Sequence, residues 1–101
     1  MIGCYIIFSS SKDKFYVGVV QDDLQKRIEK HNSRFYDKSY TKFTSDWELY
    51  LFIPCDNFSQ ATHIEKHIKR MKSKTYIKNL KKYSNISKRL LEKYKSTWLS
   101  R

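Results

Sequence analysis

Ile2-Gly3-Cys4-Tyr5-Ile6-Ile7-Phe8 and Lys14-Phe15-Tyr16-Val17-Gly18-Val19-Val20 are two strand-type runs joined by the polar stretch Ser9-Ser10-Ser11-Lys12-Asp13. So short a link between runs rich in aromatic and β-branched residues predicts a β-hairpin. Working outward, Asp22 is expected to cap a first helix, with Gln25 completing a capping box and Asn32-Ser33 ending it just after His31. Residues 32–46 are polar, with scattered aromatics and no period, which predicts a long loop of functional type. Residues 47–53 read as a third strand, stopped by Pro54, and Ser59 as the cap of a second helix. In that helix Ala61, Ile64, Ile68 and Met71 form one apolar stripe. A short helix over 75–82 follows. A last one, capped by Ser84 or Asn85, carries Ile86, Leu90, Leu91, Tyr94 and Trp98 on one face. The order β-β-α-β-α-α-α predicts an α/β chain of the α+β kind, a small antiparallel sheet covered by helices.

Charge is divided unevenly along this chain. Residues 1–60 hold eight Lys/Arg against eight Asp/Glu, whereas residues 61–101 hold thirteen against Glu65 and Glu92, which accounts for the whole net charge of +11. A basic half joined to a neutral half is the electrostatic footprint of a protein that meets a polyanion. Other classes are excluded. The two cysteines, Cys4 and Cys55, each sit in an apolar run, so neither a disulfide framework nor a zinc site is expected. No segment approaches the ~20 apolar residues of a membrane span, and with two glycines there is no phosphate-binding glycine loop. The expectation is a soluble, cytoplasmic protein with no membrane partner.

Five positions carry chemistry, and each has a plain structural reading beside the functional one. Leu24, Arg27, Ile28 and His31 share one face of the first helix, with Arg27 and His31 at the border of its buried stripe. There they either clamp a phosphate together or serve as a snorkelling Arg and a dipole-favoured helix-end His. Tyr5 and Tyr16 stand on adjacent strands, where tyrosines also pack well without further purpose. Glu65 is a lone acid in a helix bearing Lys66, Lys69, Arg70 and Lys72. It suits a hard divalent cation that keeps its waters and phosphate ligands, or a simple i, i+4 pair with Lys69.

Taken in order, these residues resemble the GIY-YIG nuclease superfamily, in its small single-domain bacterial branch. Gly3-Cys4-Tyr5 and Tyr16-Val17-Gly18 match the two name-giving elements, and Arg27 with His31 the helix that follows. Ser39-Tyr40-Thr41 with Trp47-Glu48-Leu49 is similar to the branch's loop and third strand, and residues 60–69 to its Glu-bearing helix. Cys4 and Val17 stand where the family has Ile, and Val19 where some repair members have Lys.

The resemblance implies a three-stranded antiparallel sheet flanked by helices in residues 1–82, with an extra C-terminal helix in 83–101. It also implies a divalent-metal-dependent endonuclease hydrolysing DNA phosphodiester bonds, structure-selective for branched, flapped or nicked forms. The catalytic set would be Tyr5, Tyr16, Arg27, His31 and Glu65, with Glu65 holding Mg²⁺ or Mn²⁺. Tyr5 or Tyr16 would help deprotonate the attacking water, Tyr5 being favoured with Tyr16 polarising it or holding the water; Arg27 would stabilise phosphate charge, and His31 would assist proton transfer or orient the nucleophile. Expected nucleic-acid contacts are Tyr40, Lys42, Lys66, Lys69, Arg70, Lys72, Lys74, Lys78 and Asn79, the partner being DNA, with RNA left open. The alternatives are a non-catalytic nucleic-acid-binding module on the same basic face and a subunit that docks a protein partner through the Trp98 helix.

Overall fold

A computed structural model describes residues 1–33 and 44–95 of the 101-residue chain. The elements are β1 (Gly3–Ser9), β2 (Lys14–Val20), α1 (Leu24–Asn32), β3 (Trp47–Pro54), α2 (Phe58–Met71), α3 (Lys74–Lys82) and α4 (Ser84–Lys93). β1 pairs antiparallel with β2 and with β3, giving the sheet order β2-β1-β3. The architecture is therefore the expected α+β one.

Because side chains alternate across a strand, central β1 feeds two separate cores. On one face Cys4, Ile6, Val17 and Ile53 pack with Ile64 and Ile68 of α2, Ile77 and Leu80 of α3, and Leu90 of α4. On the other, Tyr5, Ile7, Val20 and Trp47 pack with Ile28 of α1. Covering both faces explains why β1 reads as an unbroken apolar run. Each fully buried Ile contributes about 1.5–3 kcal/mol, so Ile64 and Ile68 seat α2 firmly across β1 and β2.

Several local expectations change. The cap of α1 is Asp23, not Asp22: its side chain accepts from the Lys26 N–H, so the Gln25 capping box does not form. Asn57, not Ser59, caps α2 by accepting from the Gln60 N–H. Neither Ser84 nor Asn85 caps α4, which starts from Tyr83 with no side-chain cap bond. Met71, expected in the buried stripe, is 45% exposed at the last position of α2. Trp98 lies outside the described residues.

Two polar clamps hold β3 and the segment before it. Asn32 Nδ2 donates to the Trp47 carbonyl (2.8 Å), and the Trp47 N–H donates to Asn32 Oδ1 (2.6 Å). Asp46 accepts from the hydroxyls of Ser9 (2.5 Å) and Thr44 (2.6 Å), and from the Ser11 N–H (3.0 Å). The first clamp copies a strand pairing with one side chain.

Candidate active site

Tyr5 and Tyr16 leave the same face of the sheet because Tyr5 pairs with Gly18 and Tyr16 with Ile7, one pleat repeat away. Their ring centroids are 6.4 Å apart. Below them, α1 presents His31, whose Nε2 lies 2.8 Å from the Tyr5 hydroxyl. From the other side α2 turns Phe58, Thr62, Glu65 and Lys69 along one line, since positions i, i+4, i+7 and i+11 share a helix face. All five expected catalytic residues, Tyr5, Tyr16, Arg27, His31 and Glu65, line one groove of about 410 Å³.

The groove depends on an absence of side chain. A Cβ on Gly18 would lie 2.6 Å from both Cζ and Oη of Tyr5. Glycine stands there because the phenol lies across it, not for backbone freedom. Gly3 meets a different obstacle, the Ile53 carbonyl and the Phe52 ring.

His31 is buried at 3% exposure, deeper than the border position expected. Burial, aided by the Arg27 guanidinium, lowers its pKa from 6.5 to about 4. The imidazole is therefore neutral at pH 7, with Nε2 or Nδ1 open to act as an acceptor. The sign for stability follows directly. As pH falls, unfolded His31 binds its proton first, so stability is intact above about 6.5 and is lost between 6.5 and about 4. Asp46, held below the usual carboxylate range by the Ser9 and Thr44 hydroxyls, gives a separate loss only below 3.8. Thermal unfolding followed from neutral pH to about 4 should show the first loss, and His31→Gln should flatten it.

Glu65 Oε2 accepts from Lys69 Nζ at 3.3 Å, and the Lys69 ammonium stands 5.5 Å from the Tyr16 ring centroid. The expected i, i+4 pair therefore exists, inside the wall of the groove. Glu65 is the only carboxylate among the described residues lining it, and Thr62 Oγ1 beside it is buried with no partner among the described residues. No cluster of three His, Cys, Asp or Glu occurs among the described residues. One carboxylate and an orphaned hydroxyl suit a hard cation that retains waters and phosphate oxygens, and do not suit zinc.

The other expected contacts scatter. Lys72 and Lys74 line a neighbouring groove with Lys69. Arg70 turns instead toward the Tyr94 hydroxyl. Lys66 is exposed outside the groove, and Lys78 and Asn79 line neither groove. Tyr40 and Lys42 lie outside the described residues. Sequence reasoning named Gly18 only as a motif residue and missed Thr62 and Phe58, the last 48% exposed at the groove's lip. The i, i+4, i+7 spacing of Phe58, Thr62 and Glu65 was the signal that would have found both.

A family model described as the GIY-YIG catalytic domain matches residues 1–84. No curated protein and no solved structure matches the chain.

Proposed function

From the premise that this chain belongs to the GIY-YIG family, and so is of nuclease type with a nucleic-acid substrate, we propose that it is a divalent-metal-dependent endonuclease. It hydrolyses DNA phosphodiester bonds, with selectivity for flapped or branched forms, in the cytoplasm. The observation that carries this reading is the convergence of Tyr5, Tyr16, Arg27, His31 and Glu65 on one groove. A binding module needs no lone carboxylate facing two phenols in an otherwise basic helix.

These roles are proposed for the residues that line the groove. With the scissile phosphate in the groove, Arg27 lies within the same walls and stabilises the charge that builds on the phosphate oxygens. Tyr5 Oη takes a proton from the attacking water as its own proton passes to His31 Nε2, the 2.8 Å neighbour; the water oxygen bonds to phosphorus, the opposite P–O bond breaks, and the leaving oxygen takes up a proton from solvent. Arg27 helps keep His31 neutral. An arriving phosphate anion offsets that effect and raises the proton affinity of the imidazole when substrate is present. Tyr16, between the His31 ring (5.1 Å between centroids) and the Lys69 ammonium, holds the water's far side. Glu65 and Thr62 would hold Mg²⁺ or Mn²⁺. When bound, such an ion adds positive charge beside the phosphate and makes a nearby water easier to deprotonate.

Supercoiled plasmid and synthetic flaps incubated with Mg²⁺ or Mn²⁺ test this. The expected result is metal-dependent cutting, lost by about 10²-fold or more in Tyr5→Phe with DNA binding kept. Salt-sensitive binding without cutting under either metal would overturn the enzymatic reading.

A further inference from the structure

Beside the reaction groove lies a second groove of about 550 Å³, and the two share the Tyr16 ring as their common wall. Lys14 of β2, Lys69 and Lys72 at the end of α2, and Lys74 at the start of α3 line it, with no acidic side chain among its lining residues. Between the lysines its floor is apolar, made by Val17, Ile68 and Ile77. Lys69 stands at the junction, paired with Glu65 in the first groove while lining the second.

The backbone adds an independent observation. Lys72, the C-cap of α2, sits at φ 47°, ψ 43°, in the left-handed region. Glycine is the usual occupant of such a cap, because any Cβ is strained there. The chain therefore carries a lysine where local conformation favours glycine, at the mouth of a lysine-lined slot. Lys14 and Lys72 form no ion pair among the described residues, and Lys74 is tethered to Asp13 of the hairpin turn (3.0 Å to Oδ2).

We propose that this second groove is a track for an unpaired DNA strand leading from the scissile phosphate. Its lysines meet successive phosphates, and its apolar floor takes a base or sugar. The inference rests on the nuclease reading for the position of the cut, and deepens it by naming the form of substrate. Lysines alone accept any phosphate backbone. The apolar floor chooses between forms, because a paired duplex keeps its base faces stacked inside, whereas an unpaired strand offers them to apolar and aromatic surfaces.

The test measures binding without metal, by fluorescence anisotropy, so that it reads the track whether or not cleavage occurs. The probes are a labelled DNA duplex with a single-stranded flap of about eight nucleotides and the blunt duplex of the same sequence. Lys72→Gly and Lys14→Ala/Lys72→Gly are compared with the unaltered protein. The expected result is about tenfold or greater loss of flap affinity in the double variant, with blunt-duplex affinity nearly unchanged. Its slope of log K against log salt on the flap should flatten by about 1–1.5, as for two lost single-strand phosphate contacts. The melting temperature of Lys72→Gly should hold or rise, since glycine fits the left-handed cap. That separates a lost contact from a damaged fold. Unchanged flap affinity and slope in the double variant would overturn the proposal. So would an equal loss on both probes, which would make the groove a general phosphate surface. Absence of cleavage by the unaltered protein, with the flap preference intact, would sink the nuclease reading and leave the track standing.

Discussion

Glu65→Gln is expected to reduce cleavage by on the order of 10²–10³-fold, the scale of removing a group that stabilises transition-state charge, while DNA affinity holds or improves. The substitution keeps the shape of the side chain and removes one negative charge from a groove built for a polyanion. Affinity therefore has no electrostatic reason to fall, and rate has every reason to. The competing account makes Glu65 a partner for Lys69 at 3.3 Å and nothing more. A partly exposed i, i+4 pair of that kind contributes roughly 0.3–0.5 kcal/mol. On that account Glu65→Gln shifts the melting temperature by a few degrees at most and leaves turnover alone. Single-turnover cleavage, read beside anisotropy and a thermal melt, separates the two outcomes. Normal cleavage in a protein with slightly lower stability would remove Glu65 from the reaction.

Gly18→Ala is the second large effect, and here a methyl group does the damage. The new Cβ would stand 2.6 Å from Tyr5 Cζ and Oη, and the Tyr5 ring is 2% exposed with little room to retreat. Overpacking of this sort costs about 1–3 kcal/mol, which for a domain of this size lowers the melting temperature by about 4–8 °C per kcal/mol. The ring must also swing away from His31 Nε2. A displacement of the order of 1 Å at a reacting group lowers rate by about 10²-fold, so cleavage by the folded fraction should fall further than stability does. Gly3→Ala is the matched control. Its Cβ would collide with the Ile53 carbonyl and the Phe52 ring. Stability should fall comparably there, with little further loss of rate per folded molecule. If both variants lose rate only in proportion to their unfolded fraction, the Tyr5–His31 contact is scaffolding.

Much of this molecule was legible in the chain. The hairpin, the three strands and the four helices follow from apolar periodicity and the short polar link at residues 9–13, and β1 reads as a core strand because both of its faces are covered. The misread caps of α1 and α2 share one physical origin, which is that adjacent candidates compete. Asp22 and Asp23 are chemically equivalent caps until the helix axis selects one, and Asn57 precedes Ser59 closely enough to start α2 first. Met71 is a separate case: it completes an apolar stripe by arithmetic, yet stands exposed at the last position of α2. At the groove, side chains with obvious chemistry could be named in advance, and Gly18 as a motif residue, but not why a glycine lies under the phenol, which is visible only in the cross-strand register. Lys72 was counted as one basic residue among many. Its left-handed backbone, which distinguishes it, leaves no trace in composition.

The two clamps on either side of residues 34–43 have a consequence for how such a protein diversifies. Asn32 grips the Trp47 main chain, and Asp46 ties back to Ser9 and Ser11, so the stems of the connection are riveted independently of what lies between them. Neither clamp uses a residue of that interval, and adding residues between two fixed ends grows only slowly more costly with length. Exchanging or lengthening the interval, by descent or by engineering, leaves both grips intact, and His31, one residue upstream of Asn32, keeps its seat.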